Sequence, residues 1–179
     1  MKLRHLFFAC SGVFVMIFSL LLLVVIVFSD EEDGGSGGNL IYGGVSVSQE
    51  VLAHKPMLEK YAREYGIEEY LNVLLAIIQV ESGGTLEDVM QSSESLGLPP
   101  NSLSTEESIK QGCKYFSELL AAAETKGCDL NSVIQSYNYG GGFLDYVAGR
   151  GKKYTFELAE SFARDKSGGK KVTYTNLLR

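Results

Sequence analysis

Glu81 closes the stretch YLNVLLAIIQVE, in which nearly every residue before it is apolar. A carboxylate in such surroundings is costly unless it is paired, neutralised or used. At helical spacing it falls three and four residues after Ile78 and Ile77 and seven after Leu74, on an apolar face. Desolvation there disfavours its charged form, and so does the partial negative charge at a helix C-terminus. An acid that keeps its proton near neutral pH can hand it to a leaving oxygen. Taken alone, a Glu in this position reads more readily as one that has reached the surface at a helix end, so the assignment turns on what accompanies it. The other chemistry-bearing residues nearby are the acids Glu87, Asp88 and Glu94. Asp88, seven residues on, is predicted to sit on a polar loop, ionised and available. No metal or cofactor site is expected: His5 and His54 are far apart without ligand partners, and the cysteines are poorly spaced for one.

The elements that must position these groups are helical. Ser48 can cap a helix running to about Tyr65, with Pro56 as a kink and Gly66 as the stop. Glu69 to Glu81 reads as a second helix, apolar around almost its whole circumference and therefore central and buried. Gly83 and Gly84 end it. Thr85 to Leu103, with Pro99 and Pro100, reads as a long loop, and a loop of that length in a compact domain is more often functional than not. Ser104 and Glu107 form a capping box for a helix with the apolar stripe Ile109, Cys113, Phe116, Leu120 and Ala123. Asp129 or Asn131 caps LNSVIQSYNY, which Gly140 to Gly142 stop. FLDYVAG and TFELAESFARD read as two more amphipathic helices, and VTYTNLLR as a short strand or extended exit. The expected fold is mainly α, built around one buried helix. Cys113 falls mid-helix and Cys128 just past its end, roughly 15–20 Å apart, too far for a disulfide, which needs under about 7 Å. Both are expected as free thiols.

Ahead of this domain, Leu6 to Phe28 is an apolar run without a charge, roughly 35 Å long as a helix. Lys2 and Arg4 precede it and Asp30 to Asp33 follow, which places the N-terminus in the cytoplasm and the remainder outside. The run is longer than a signal-peptide core and VVIVFSDEED offers no clear cleavage site, so a retained anchor is favoured over a cleaved signal. Asp30 to Gly44, acidic and then rich in Gly and Ser, reads as a flexible tether. The expected organisation is an anchor over 1–29, a linker over 30–44 and a catalytic domain over 45–179. The net charge of −6 argues against a nucleic-acid partner.

Three segments occur in order: QVESGG (79–84), VMQSSES (89–95) and QSYNYGGG (135–142). None is specific alone, but together, in helical context, they resemble the lysozyme-like superfamily of goose-type lysozymes and soluble lytic transglycosylases. The nearer likeness is to the muramidase domain of CwlT-like cell-wall hydrolases, associated with Gram-positive conjugative elements, over roughly residues 45 to 175. The resemblance implies a lysozyme-like fold with Glu81 as catalytic acid followed by Ser82. It implies that Met90 and Gln91 line a sugar cleft and that Tyr137 and Asn138 form its opposite wall. There the Tyr137 hydroxyl would orient the Glu81 carboxyl and the Asn138 amide would bind an N-acetyl group. Asp88 becomes the candidate second carboxylate, activating water or stabilising an oxocarbenium-like transition state, with Glu87 and Glu94 as rivals. CwlT-like proteins commonly carry a further peptidase domain of the NlpC/P60 type, for which this sequence shows no Cys–His arrangement.

The expected protein is thus a membrane-anchored, extracytoplasmic N-acetylmuramidase. It would cut peptidoglycan glycan strands between N-acetylmuramic acid and N-acetylglucosamine and open the wall locally for a conjugation or secretion apparatus. A lytic transglycosylase forming 1,6-anhydromuramic acid, which needs no water-activating carboxylate, is the close alternative. A wall-binding scaffold without turnover is the other, and a pure binder has no need of a buried acid.

Overall fold

The structure, a computed structural model, describes residues 40–42 and 45–166. The apolar run Leu6–Phe28, most of the acidic Gly-rich segment and the VTYTNLLR tail lie outside the described residues. No helix among the described residues is long and apolar enough to cross a membrane.

Two short strands open the domain, β1 (Leu40–Tyr42) and β2 (Val45–Val47), paired antiparallel with Leu40 opposite Val47. Leu40–Tyr42 falls inside the segment expected to be tether and is a strand. The helix expected from Ser48 to Tyr65 is two helices, α1 (Gln49–Ala53) and α2 (Lys55–Glu64), broken at His54. Pro56 lacks the N–H that would bond to the Leu52 carbonyl, and it sits in the first turn of α2, where that loss is harmless. Ser48 caps α1 as expected, its hydroxyl accepting from the Val51 N–H.

A single 3₁₀ turn (Glu68–Tyr70) leads into α3 (Leu71–Glu81), so the α-helix starts two residues later than expected. Val73 to Ile78 are all buried, which makes α3 the central element. The following loop holds a short 3₁₀ helix, Ser93–Leu96. Then comes α4 (Thr105–Lys126), started by the Ser104–Glu107 capping box and ended by Gly127 in the left-handed region. Asp129 rather than Asn131 caps α5 (Leu130–Tyr139), accepting from the Ser132 N–H. The same carboxylate also accepts from the Tyr154 N–H, which ties in the turn before the last helix. α6 (Gly142–Ala148) and α7 (Phe156–Lys166) complete the domain.

The main core gathers α3 with Val51, Leu58, Ile109, Phe116, Ile134 and Leu144 from the surrounding elements. A second, smaller cluster of Phe143, Val147, Ala159 and Phe162 holds α6 and α7 together beneath Tyr139, Tyr146 and Tyr154. Cys113 and Cys128 are free thiols, as the helical spacing requires.

Candidate active site

Glu81 is the last residue of α3, and two devices fix the chain as it leaves. Ser48 donates its N–H to Gln79 Oε1 (2.7 Å) and its hydroxyl to the Gly83 carbonyl (3.3 Å), and a His54 ring nitrogen lies 2.9 Å from the Gly84 carbonyl. Gly84 has φ +78°, and a Cβ on it would stand 2.7 Å from the Glu50 and Val51 backbone, so only glycine fits against α1 there. The Ser82 hydroxyl donates to the Val89 carbonyl (2.8 Å) and accepts from the Gly84 N–H (3.0 Å). The serine after the acid is thus spent on tying the helix end to the loop and is not presented to a ligand.

An open groove of about 260 Å³ lies over this helix end. It is lined by Glu81, by Gln91, Ser92, Glu94 and Ser95 from the loop, by Tyr115 from α4, and by Tyr137, Asn138, Tyr139 and Gly140 from the end of α5. Glu81 is partly buried at the floor, and its Oε2 is buried without a hydrogen-bond partner among the described residues. Burial, then the charge of Glu94, then that of Asp88 push its carboxyl up to about 8. An acid in that state is protonated at neutral pH and faces space in which a sugar oxygen could accept the proton.

The remaining expected residues divide. Gln91 and Asn138 line the groove. Gln91 has φ 47° and donates its amide to the Asp88 carbonyl and to Asn101 Oδ1, both at 2.8 Å. Tyr137 lines the groove too, but its hydroxyl donates to the Met90 carbonyl (3.1 Å), so it braces the loop and does not orient Glu81. Met90 is fully buried and belongs to the core. A Cβ on Gly112 would come within 2.5 Å of the Met90 sulfur and 2.8 Å of the Tyr137 hydroxyl, so a side-chain-free position in α4 is what lets these two pack.

Asp88 differs most from expectation. It is 0 % exposed, not solvated. Its carboxylate accepts from the Ser92 N–H (2.9 Å), the Ser93 N–H (3.2 Å), the Ser93 hydroxyl and the Ser108 hydroxyl (2.5 Å). Ser108 also accepts from the Met90 N–H (3.0 Å), and its carbonyl accepts from the Ser92 hydroxyl (2.9 Å). This is a buried carboxylate satisfied by neutral donors, and it is not among the residues lining the groove. The polar VMQSSES segment gave the appearance of a solvated loop because its serines carry no sign of what they bond.

Sequence reasoning missed Tyr115, Ser92, Ser95 and Tyr139. Tyr115 stands off the apolar stripe of α4, where a lone Tyr carries no signal. The others lay within the quoted segments without being singled out.

The fold and the groove define a lysozyme-like domain with one desolvated acid ending its central helix. The chain belongs to the lysozyme-like family, whose model matches residues 48–178. Among relatives, the bifunctional muramidase/DL-endopeptidase CwlT of Bacillus subtilis is 44 % identical over 124 residues, covering 69 % of this chain and 37 % of CwlT. The B. subtilis membrane protein YocA is 39 % identical over 118 residues, 65 % of this chain and 52 % of YocA. A crystal structure of a lipoprotein-like member of the NLP/P60 family from Staphylococcus aureus is 73 % identical with a TM-score of 0.72, over 74 % of this chain and 45 % of that one. The chain spans less than two thirds of each of these relatives.

Proposed function

We propose that this protein is an N-acetylmuramidase. It hydrolyses the β-1,4 bond between N-acetylmuramic acid and N-acetylglucosamine in peptidoglycan, with Glu81 protonating the bridging oxygen. The observation that carries this is the desolvated Glu81 carboxyl, its Oε2 without a hydrogen-bond partner among the described residues, in a groove lined by amides, hydroxyls, tyrosines and one further carboxylate, Glu94. That lining suits a neutral sugar polymer, and the likeness to CwlT, a muramidase by name, points to the same bond. Gln91, Tyr137 and Asn138 are the substrate-contacting residues, whereas Ser82 and Met90 support the groove from behind. Asp88 acts as a positioning residue: it holds the loop that forms one wall. Leu6 to Phe28 anchors the domain outside the cytoplasmic membrane, so that cutting is confined to wall near the membrane, a fitting place to open a path for conjugation or secretion machinery.

Glu81→Gln keeps the shape and removes the donated proton. Lysis of purified peptidoglycan is expected to fall by at least about 100-fold, the usual contribution of a general acid, with the fold intact. Lysis near the wild-type rate overturns the proposal. The withdrawal of Asp88 from the groove favours one second reading, a lytic transglycosylase, in which the muramic 6-hydroxyl attacks and no second carboxylate is required. Product ends separate the two.

A further inference from the structure

The loop that walls the groove is pinned far more heavily than a surface loop needs. Asp88 holds it from one side through Ser92, Ser93 and Ser108. The Ser93 hydroxyl also accepts from the Ser102 N–H at 3.1 Å, which draws in the far end of the loop. On the other side Gln111 of α4 donates its amide to the Ser95 hydroxyl (2.9 Å), which in turn donates to the Ser92 carbonyl (2.6 Å). Between the two clamps, in the first turn of the 3₁₀ helix, stands Glu94. It is exposed, it lines the same groove as Glu81, and no ion pair among the described residues holds its carboxylate.

We propose that Glu94 is the second carboxylate of the reaction, the base that takes a proton from the attacking water, with Asp88 and Gln111 serving to hold it in place. The inference rests on the muramidase reading and adds the residue that reading lacks. Among the described acids, only Glu81 and Glu94 line the groove; Asp88 is saturated with hydrogen bonds, and Glu87, though exposed, is not a lining residue. The electrostatic reach between the two is visible at Glu81, where the charge of Glu94 ranks after burial and ahead of Asp88 in raising the acid. The step balances without any co-reactant. The Glu81 proton passes to the bridging oxygen as the C1–O bond breaks. Water oxygen bonds to C1 and its proton passes to the Glu94 carboxylate, then returns to Glu81 through solvent. One glycosidic bond and one water become two hydroxyl groups.

The test uses the purified full chain on insoluble peptidoglycan, with Glu94→Gln, Glu94→Ala, Glu87→Gln and Glu81→Gln. Turnover and sedimentation with the glycan are measured for each, with and without sodium azide. Glu94→Gln and Glu94→Ala should lose about 100-fold or more in turnover and still co-sediment as the wild type does, while Glu87→Gln keeps its rate. Azide, small enough to occupy the space left in Glu94→Ala and needing no base, should restore turnover and leave a glycosyl azide end detectable by mass spectrometry. A role confined to holding the loop would not produce that rescue. Turnover of Glu94→Gln within threefold of wild type overturns the inference, as does a loss explained wholly by weaker sedimentation, or 1,6-anhydro product ends. Those outcomes leave Glu81 as the acid; only an active Glu81→Gln would remove the reading beneath.

Discussion

Replacing Glu81 by Gln should stabilise the fold as it abolishes turnover, and the gain should grow with pH. In the unfolded chain this carboxyl releases its proton near 4.5, and in the folded chain near 8, chiefly because burial disfavours the charge. Between those values the native state binds one more proton than the unfolded state, so stability falls as pH rises, and the fall ends once the native acid has ionised. At pH 7 the retained proton costs the native state about 3 kcal/mol, less whatever water in the groove relieves. Gln is close in shape and carries no such cost. The Tm of a domain this size moves by roughly 3–6 °C per kcal/mol. The variant should therefore melt at least several degrees above wild type at pH 7 to 8, with the two converging near pH 4. Thermal and urea unfolding of both proteins across pH 4 to 9 reads this directly. Turnover of the wild type should fall above about pH 8 as the donor loses its proton. A stability gap that is flat with pH, or a Gln variant less stable at pH 8, would refute the account of a desolvated acid at the groove floor.

Asp88→Asn should lose both stability and turnover, because the amide cannot accept all four donors from Ser92, Ser93 and Ser108. With one or two charge-assisted bonds lost, about 2–4 kcal/mol is expected in urea unfolding, and a variant as stable as wild type would contradict the buried geometry. Gly112→Ala drives a methyl into Met90 and Tyr137, so it should cost roughly 1–3 kcal/mol and slow turnover; unchanged melting would mean the packing is looser than described. Alkylation of the native protein should spare Cys113, which is buried with its thiol pushed up to about 12, and modify it only after unfolding. Rapid native labelling of Cys113 would contradict its place in the core.

What could be read from the sequence followed from local rules. The all-round apolar face of Leu71–Ile78 announced a central helix, and the position of Glu81 on it announced a desolvated acid. The capping box at Ser104, the stop at Gly127 and the long loop before α4 were equally visible, since caps and breakers act within a few residues. What escaped depended on contacts across the chain. Asp88 looked solvated because its partners Ser92, Ser93 and Ser108 become donors to it only once the loop lies on α4. Tyr137 kept its expected wall position but gave its hydroxyl to Met90, a choice set by the close approach at Gly112. Tyr115 reaches the groove only through the packing of α4 on α5, which no spacing within α4 reveals. The break at His54 was legible in principle, since Pro56 removes the N–H that a continuous helix would require.

The measurement closest to the central claim is mass spectrometry of the muropeptides that the purified protein releases from peptidoglycan. Hydrolysis by Glu81 with a water-activating carboxylate predicts fragments ending in reducing N-acetylmuramic acid from the wild type and none above background from Glu81→Gln. Fragments ending in 1,6-anhydromuramic acid would contradict hydrolysis. Equal release from Glu81→Gln would contradict the acid itself.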